Sequence, residues 1–216
     1  VIGLLMLTFV TGLIDAISVL VLGHVFVANM TGNVIFLGFV FVPHSGVDLT
    51  AAAVAFAFFV LGAIIGGRFG RHLNHDLDLW ITVALGAELL ALSTLAVLAG
   101  TGVLGYHGTG RLILIAGLAM VFGAQNVIAR RFGIPELSTT VITGTIAGIG
   151  SDSRLAGGRG DREKLRWAAV LTLCAGAVVG ATLSRFVVAP VIGLAAVTVA
   201  AALAVFRFGP KPAEVA

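Results

Sequence analysis

Charge is scarce in this 216-residue chain, at 11% of residues, against about 25% in an average soluble domain. With 59% apolar residues, a water-soluble globule would have to expose most of its apolar surface, so a soluble protein is excluded. Cysteine is nearly absent as well. The single Cys174 lies inside an apolar run, which excludes a disulfide framework or a cysteine metal cluster and reads as a small packing residue. The net charge of +3 does not mark a nucleic-acid binder, because the Lys and Arg residues are scattered over short loops without a basic, aromatic-laced face. No basic region precedes the first apolar run, so no cleaved leader is expected within these residues. Alternating strand patterns, the mark of a membrane barrel, are missing too. So are a phosphate-binding loop, a zinc-hydrolase helix motif and a nucleophile elbow, and neither an enzyme nor a cofactor is expected.

What the chain has is long apolar stretches. They fall at about 2–22, 25–42, 51–67, 79–99, 112–129, 137–150, 167–187 and 190–206, and a spanning helix needs about 20 such residues. The chain therefore reads as an all-α polytopic membrane protein with up to eight helical segments. The second and sixth segments differ from the others. Each is short, opens with residues of extended or capping character (His24 to Asn29, Glu136 to Thr140) and carries a Thr-Gly pair near its start.

Three anchors recur in the same order. Gly12-Leu13-Ile14-Asp15-Ala16-Ile17 is matched by Gly123-Ala124-Gln125-Asn126-Val127-Ile128. Met30-Thr31-Gly32-Asn33 is matched by Ile142-Thr143-Gly144-Thr145, and Gly62-x-x-x-Gly66 by Gly176-x-x-x-Gly180. This order predicts a duplication with halves 1–105 and 111–208 and a tail at 209–216. If each Thr-Gly segment and its predecessor cross only once, each half makes three net crossings. Arg68, Arg71, the loop 151–166 and the C-terminal tail then share a face, with Arg130 and Arg131 left at the break. Lys and Arg in short loops mark the cytoplasmic side. The reading is two inverted repeats, with loops 68–78 and 151–166 and the C-terminus cytoplasmic.

Inverted repeats with interrupted helices are common in secondary transporters, where broken segments meet at the substrate. Asn29 or Thr31 can cap a helix N-terminus whose free amides favour an anion or a polar oxygen. Gly32 and Gly144 would admit a ligand to the backbone. The alternative is that Thr and Gly only allow close helix packing. Asp15 lies mid-run, where an ionisable group is expensive. Its repeat mate Asn126, beside Gln125, would complete a shared polar centre in which Asp15 takes up a proton. Glu88 is the second intramembrane acid, either a proton site or a carboxyl bonded to a neighbouring helix. Expected solute contacts are thus Asp15, Asn29, Thr31, Gly32, Asn33, Gln125, Asn126, Thr143, Gly144 and Thr145, with Asp15 and Glu88 as candidates for proton coupling. Arg130, Arg131 and Glu136 read as a structural ion-pair group. Gly62/Gly66 and Gly176/Gly180 read as core packing sooner than a dimer seam, and Trp80 and Trp167 as interfacial anchors. His72, His75, Asp76 and Asp78 read as a solvated loop.

The stretch Thr11 to Ser18 and the run Leu22 to Asn33, which ends in Ala28-Asn29-Met30-Thr31-Gly32-Asn33, resemble the YoaK family of bacterial integral membrane proteins. The resemblance covers essentially the whole chain, although position 19 is Val where an aromatic residue is expected. It implies a bacterial inner-membrane protein of six spans, and it implies no substrate, reaction or functional residue. The function expected is a small secondary transporter or permease for a small polar or anionic solute. The competing reading is a non-transporting assembly or sensor protein. The partners expected are the lipid bilayer and a small-molecule solute, with homo-oligomerisation left open.

Overall fold

The computed structural model describes residues 1–42, 46–73, 76–131, 142–160, 162–185 and 187–209. These form eight α-helices, α1 (Ile2–Leu20), α2 (Met30–Leu37), α3 (Leu49–His72), α4 (Leu77–Gly100), α5 (Gly108–Arg131), α6 (Ile142–Ser151), α7 (Glu163–Ser184) and α8 (Ala189–Phe208), with no strand among the described residues. Six of them, α1, α3, α4, α5, α7 and α8, are long and apolar enough to cross a bilayer. The other two fall far short. At about 1.5 Å per residue, helices of 8 and 10 residues reach only about half of a hydrocarbon core of about 30 Å or less.

Packing follows a paired scheme. The closest helix pairs are α1 with α7 and α3 with α5; next comes α4 with α8, then α1 with α8 and α4 with α5, and the short helices α2 and α6 dock on α3 and α7. Exchanging α1–α4 for α5–α8 maps this scheme onto itself. The α1 and α5 helices are the most enclosed of the six long ones and occupy the centre.

Glycine makes the two closest crossings possible. A Cβ on Gly12 of α1 would run into the Leu173 carbonyl of α7, and one on Gly176 into the Phe9 carbonyl of α1. At the other crossing, Gly123 faces the Phe59 carbonyl and Gly62 the Met120 carbonyl in the same way. Helices in lipid gain little from hiding apolar surface from one another, so close backbone approach through small residues supplies much of the attraction. Both GxxxG pairs are therefore used within the chain, as core packing.

The charged residues sort by end. Arg68, Arg71, Arg130, Arg131, Lys164, Arg166 and Arg207 lie at helix ends on one side of the bundle together with the connection that holds Arg154, Arg159 and Arg162, whereas Arg111 and Arg185 lie at the opposite end. Arg207 donates to the Thr82 hydroxyl, tying the end of α8 to the start of α4. On the opposite side Asp48 caps α3 by accepting from the Ala51 amide at 2.9 Å and pairs with Arg111 of α5. Burial pushes the Asp48 carboxyl up, but the Ala51 amide, the Arg111 guanidinium and the Thr50 amide outweigh it and hold the group below its ordinary value.

Two expectations follow from this packing. Gly12→Val and Gly123→Val should each cost about 1–3 kcal/mol or more through overpacking, read as a fall in thermal midpoint in detergent. Gly86→Ala, where a Cβ meets nothing within 4 Å, should be neutral or stabilising. For the ion pair, a carboxyl depressed on folding stabilises the fold above its unfolded pKa and loses that contribution as pH falls through the depressed value. Asp48→Asn should accordingly lower the midpoint at neutral pH, with the gap to wild type closing below about pH 4. A gap that persists at lower pH would show that the charge is not its source.

Candidate functional site

The site starts where α1 ends. Gly23 and His24 both adopt positive φ, 110° and 59°, which turns the chain back along the helix it has just left. Glycine tolerates this conformation, whereas His24 is strained in it. The returning strand of backbone, residues 25–29, is not helical and cannot satisfy its own amides. Asp15 satisfies three of them. Its Oδ1 accepts from the amides of Val27 at 2.9 Å and Ala28 at 2.8 Å, and its Oδ2 from the Asn29 amide at 3.1 Å and the Asn29 Nδ2 at 2.6 Å. A second clamp lies one turn into α2. Asn33, fully buried, accepts from the Phe26 amide through Oδ1 and donates to the Phe26 carbonyl through Nδ2. Gly32 completes it, because a Cβ there would strike the Phe26 ring.

These contacts correct several readings of the sequence. Asp15 does not share a centre with Asn126; both its oxygens are spent on the broken segment of its own half, and the two residues line different pockets. Asn29 occupies the N-cap position of α2 but makes no side-chain cap bond, since its amide group is drawn back to Asp15. Asn33 is enclosed, and both ends of its carboxamide are spent on Phe26. The two Thr-Gly pairs do not form one cluster, because α2 docks on α3 and α6 on α7. Thr143 and Gly144 open α6 as Thr31 and Gly32 open α2, and both are exposed. Thr145, at the Asn33 place, is buried, and its hydroxyl has no partner among the described residues.

The first residues of α2 face a pocket of about 490 Å³ between α2, α3 and α5, lined by Thr31, Asn126 and Arg130 together with Met30, Val34 and Phe59. Its counterpart, about 370 Å³, lies between α1 and α7, where Asp15, Val19, Leu173 and Ala177 stand at the places of Asn126, Arg130, Phe59 and Ala63. Arg130 thus has Val19 as its mate, and of these two pockets the one at α2 carries a cation.

Gln125 does not join this pocket. It turns the other way and donates through Nε2 to Glu88 Oε1 at 2.7 Å, bridging α5 to α4. Glu88 is 5% exposed. Trp80, expected at the membrane interface, is instead turned inward at 2% exposure, while Trp167 is 45% exposed. Cys174 faces outward and is not a packing residue. In the loop before α4, Asp76 caps that helix through the Leu79 amide, and no metal-binding group occurs among the described residues. Glu136, Thr140 and His75 lie outside the described residues.

Asp15→Asn keeps only one acceptor oxygen and turns an NH₂ toward donors, so the segment 25–29 should loosen. In a Cys174→Ser background, Cys introduced at the buried Ala28 should react slowly with a maleimide in the parent and at least about tenfold faster with Asp15→Asn, given charged hydrogen bonds of about 1.5–3 kcal/mol each. Equal rates would show that Asp15 does not hold the segment.

Residues 3–205 match the family model described as Protein of unknown function (DUF1275). Over 152 residues the chain is 34% identical to UPF0700 transmembrane protein YoaK of Bacillus subtilis (strain 168), a match that covers 68% of this chain and spans 64% of that protein's length. No solved structure matches the chain. With six candidate spans and a family match over nearly all of its length, the chain is a multi-pass integral membrane protein and belongs to the DUF1275 family, which includes the YoaK protein.

Proposed function

We propose that the protein is a small secondary transporter or permease that carries a small anionic solute through the pocket at the start of α2. The observation that carries this reading is the company Arg130 keeps. A guanidinium, a carboxamide and a hydroxyl line one cavity beside the first turn of a helix that lacks a side-chain cap. Each of these groups favours an anion, and together they leave apolar wall for a short hydrocarbon body.

The paired packing supports an inverted-repeat mechanism. Three long helices in each set of four leave the two sets pointing opposite ways across the membrane, and the glycine crossings α1/α7 and α3/α5 give each set the same close joint. Alternating access by rocking about such joints is the usual behaviour of this architecture. We assign the basic end, with loops 68–78 and 151–166 and the C-terminus, to the cytoplasmic side of a bacterial inner membrane on the positive-inside rule. Asp15 is committed to the α1–α2 break, which leaves Glu88 as the acid available to exchange a proton.

Protein reconstituted in liposomes should take up one or more of phosphate, sulfate and short-chain carboxylates above the level of protein-free vesicles. Arg130→Gln should lower that flux by about tenfold or more, the loss expected for a charged hydrogen bond, while Arg111→Gln at the opposite end should spare it. An imposed pH gradient should drive wild type and not Glu88→Gln. Flux that is unchanged in Arg130→Gln, or no flux above protein-free vesicles, overturns the assignment.

A further inference from the structure

A separate cavity of about 250 Å³ lies between α3, α4 and α5. The helices α3 and α4 are consecutive yet barely touch, because each packs on α5 instead. The gap between them is floored by α5 and rimmed by Ile65, Phe69 and Val83, all of which face outward. On spanning helices, outward means lipid, so the cavity opens sideways into the bilayer. Its wall is apolar apart from Glu88 and Gln125. Gln125 occupies Glu88 Oε1, and the other oxygen, Oε2, is buried and has no hydrogen-bond partner among the described residues.

The second set of helices shows that this polar pair is not needed for packing. The buried positions Trp80, Ile81, Leu85 and Glu88 of α4 recur at one constant offset as Val191, Ile192, Ala196 and Val199 of α8. Gln125 has Ile14 as its repeat mate. Ile14 and Val199 are both fully buried, so the equivalent place on that side holds two aliphatic residues. A carboxyl oxygen left without a partner in an apolar site costs free energy that an aliphatic pair would avoid. A ligand bearing a hydrogen-bond donor removes that cost.

We infer that the lateral cavity binds a small lipophilic amine or ammonium compound, which enters from the bilayer with its hydrocarbon body against Phe69, Trp80 and Val121 and its nitrogen donating to Glu88 Oε2. The site is distinct from the anion pocket at α2, and its occupancy is an equilibrium property that does not require transport.

Trp80 lines the cavity and reports on it. In a Trp167→Phe background, with the protein in nanodiscs, cyclohexylamine should shift the Trp80 emission saturably, and cyclohexanol, of nearly the same shape, should bind at least about tenfold more weakly. Glu88→Gln should remove most of that preference, and Ala84→Phe, which fills the cavity and leaves the carboxyl in place, should abolish binding of both. Equal affinity for amine and alcohol in the parent, an amine preference that survives Glu88→Gln, or no saturable change at all would each overturn the inference. Anion flux that fails in the liposome assay while amine binding persists would remove the transporter reading alone.

Discussion

A backbone that leaves its helix within a bilayer must find hydrogen-bond partners inside the protein, and the structure around α2 depends on how Asp15 meets that demand. Four N–H groups converge on one carboxylate. Because of this, the chain can turn back at Gly23 and His24, run alongside α1 without helical bonds and start a new helix that docks on α3. Asn33 and Gly32 then close the turn on Phe26. An acid in a membrane helix invites a catalytic or proton-carrying interpretation, but here its cost is offset by donors that would otherwise be orphaned. Its role is to make an irregular segment tolerable.

The two sets of four helices share their joints and differ in their polar groups. Gly12 and Gly123, and Gly62 and Gly176, face equivalent carbonyls, so the frame is repeated. Where function would require asymmetry, the residues part company: Asp15 against Asn126, Asn33 against Thr145, Val19 against Arg130, Ile14 against Gln125. Each substitution changes a charge, a hydrogen-bonding capacity or a volume. Of the two equivalent pockets, a cation thus lines the one at α2 and not its counterpart between α1 and α7, and the Glu88–Gln125 pair lines the cavity between α3 and α4. One frame carries two chemically different halves.

The sequence by itself determined the class of protein, the long helices and the matched anchors, because each rests on local properties. Apolar length sets a span, a residue of extended character sets a break, and a Gly pair four residues apart sets a close crossing whatever its partner. It also marked Asp15 and Glu88 as the costly groups. Partner choice was beyond it. Whether Asp15 would meet Asn126 or the returning amides of 27–29, whether Gln125 would turn with Asn126 or toward Glu88, and whether Trp80 would face the interface or the interior all depend on side chains brought together from distant helices. Hydropathy is blind to that, since a helix in lipid is apolar on every face and carries little sign of which side is buried. The tertiary structure decided it: the glycine crossings set how α1 meets α7 and α3 meets α5, and the packing of α4 on α5 and α8 turns Trp80 and Glu88 inward.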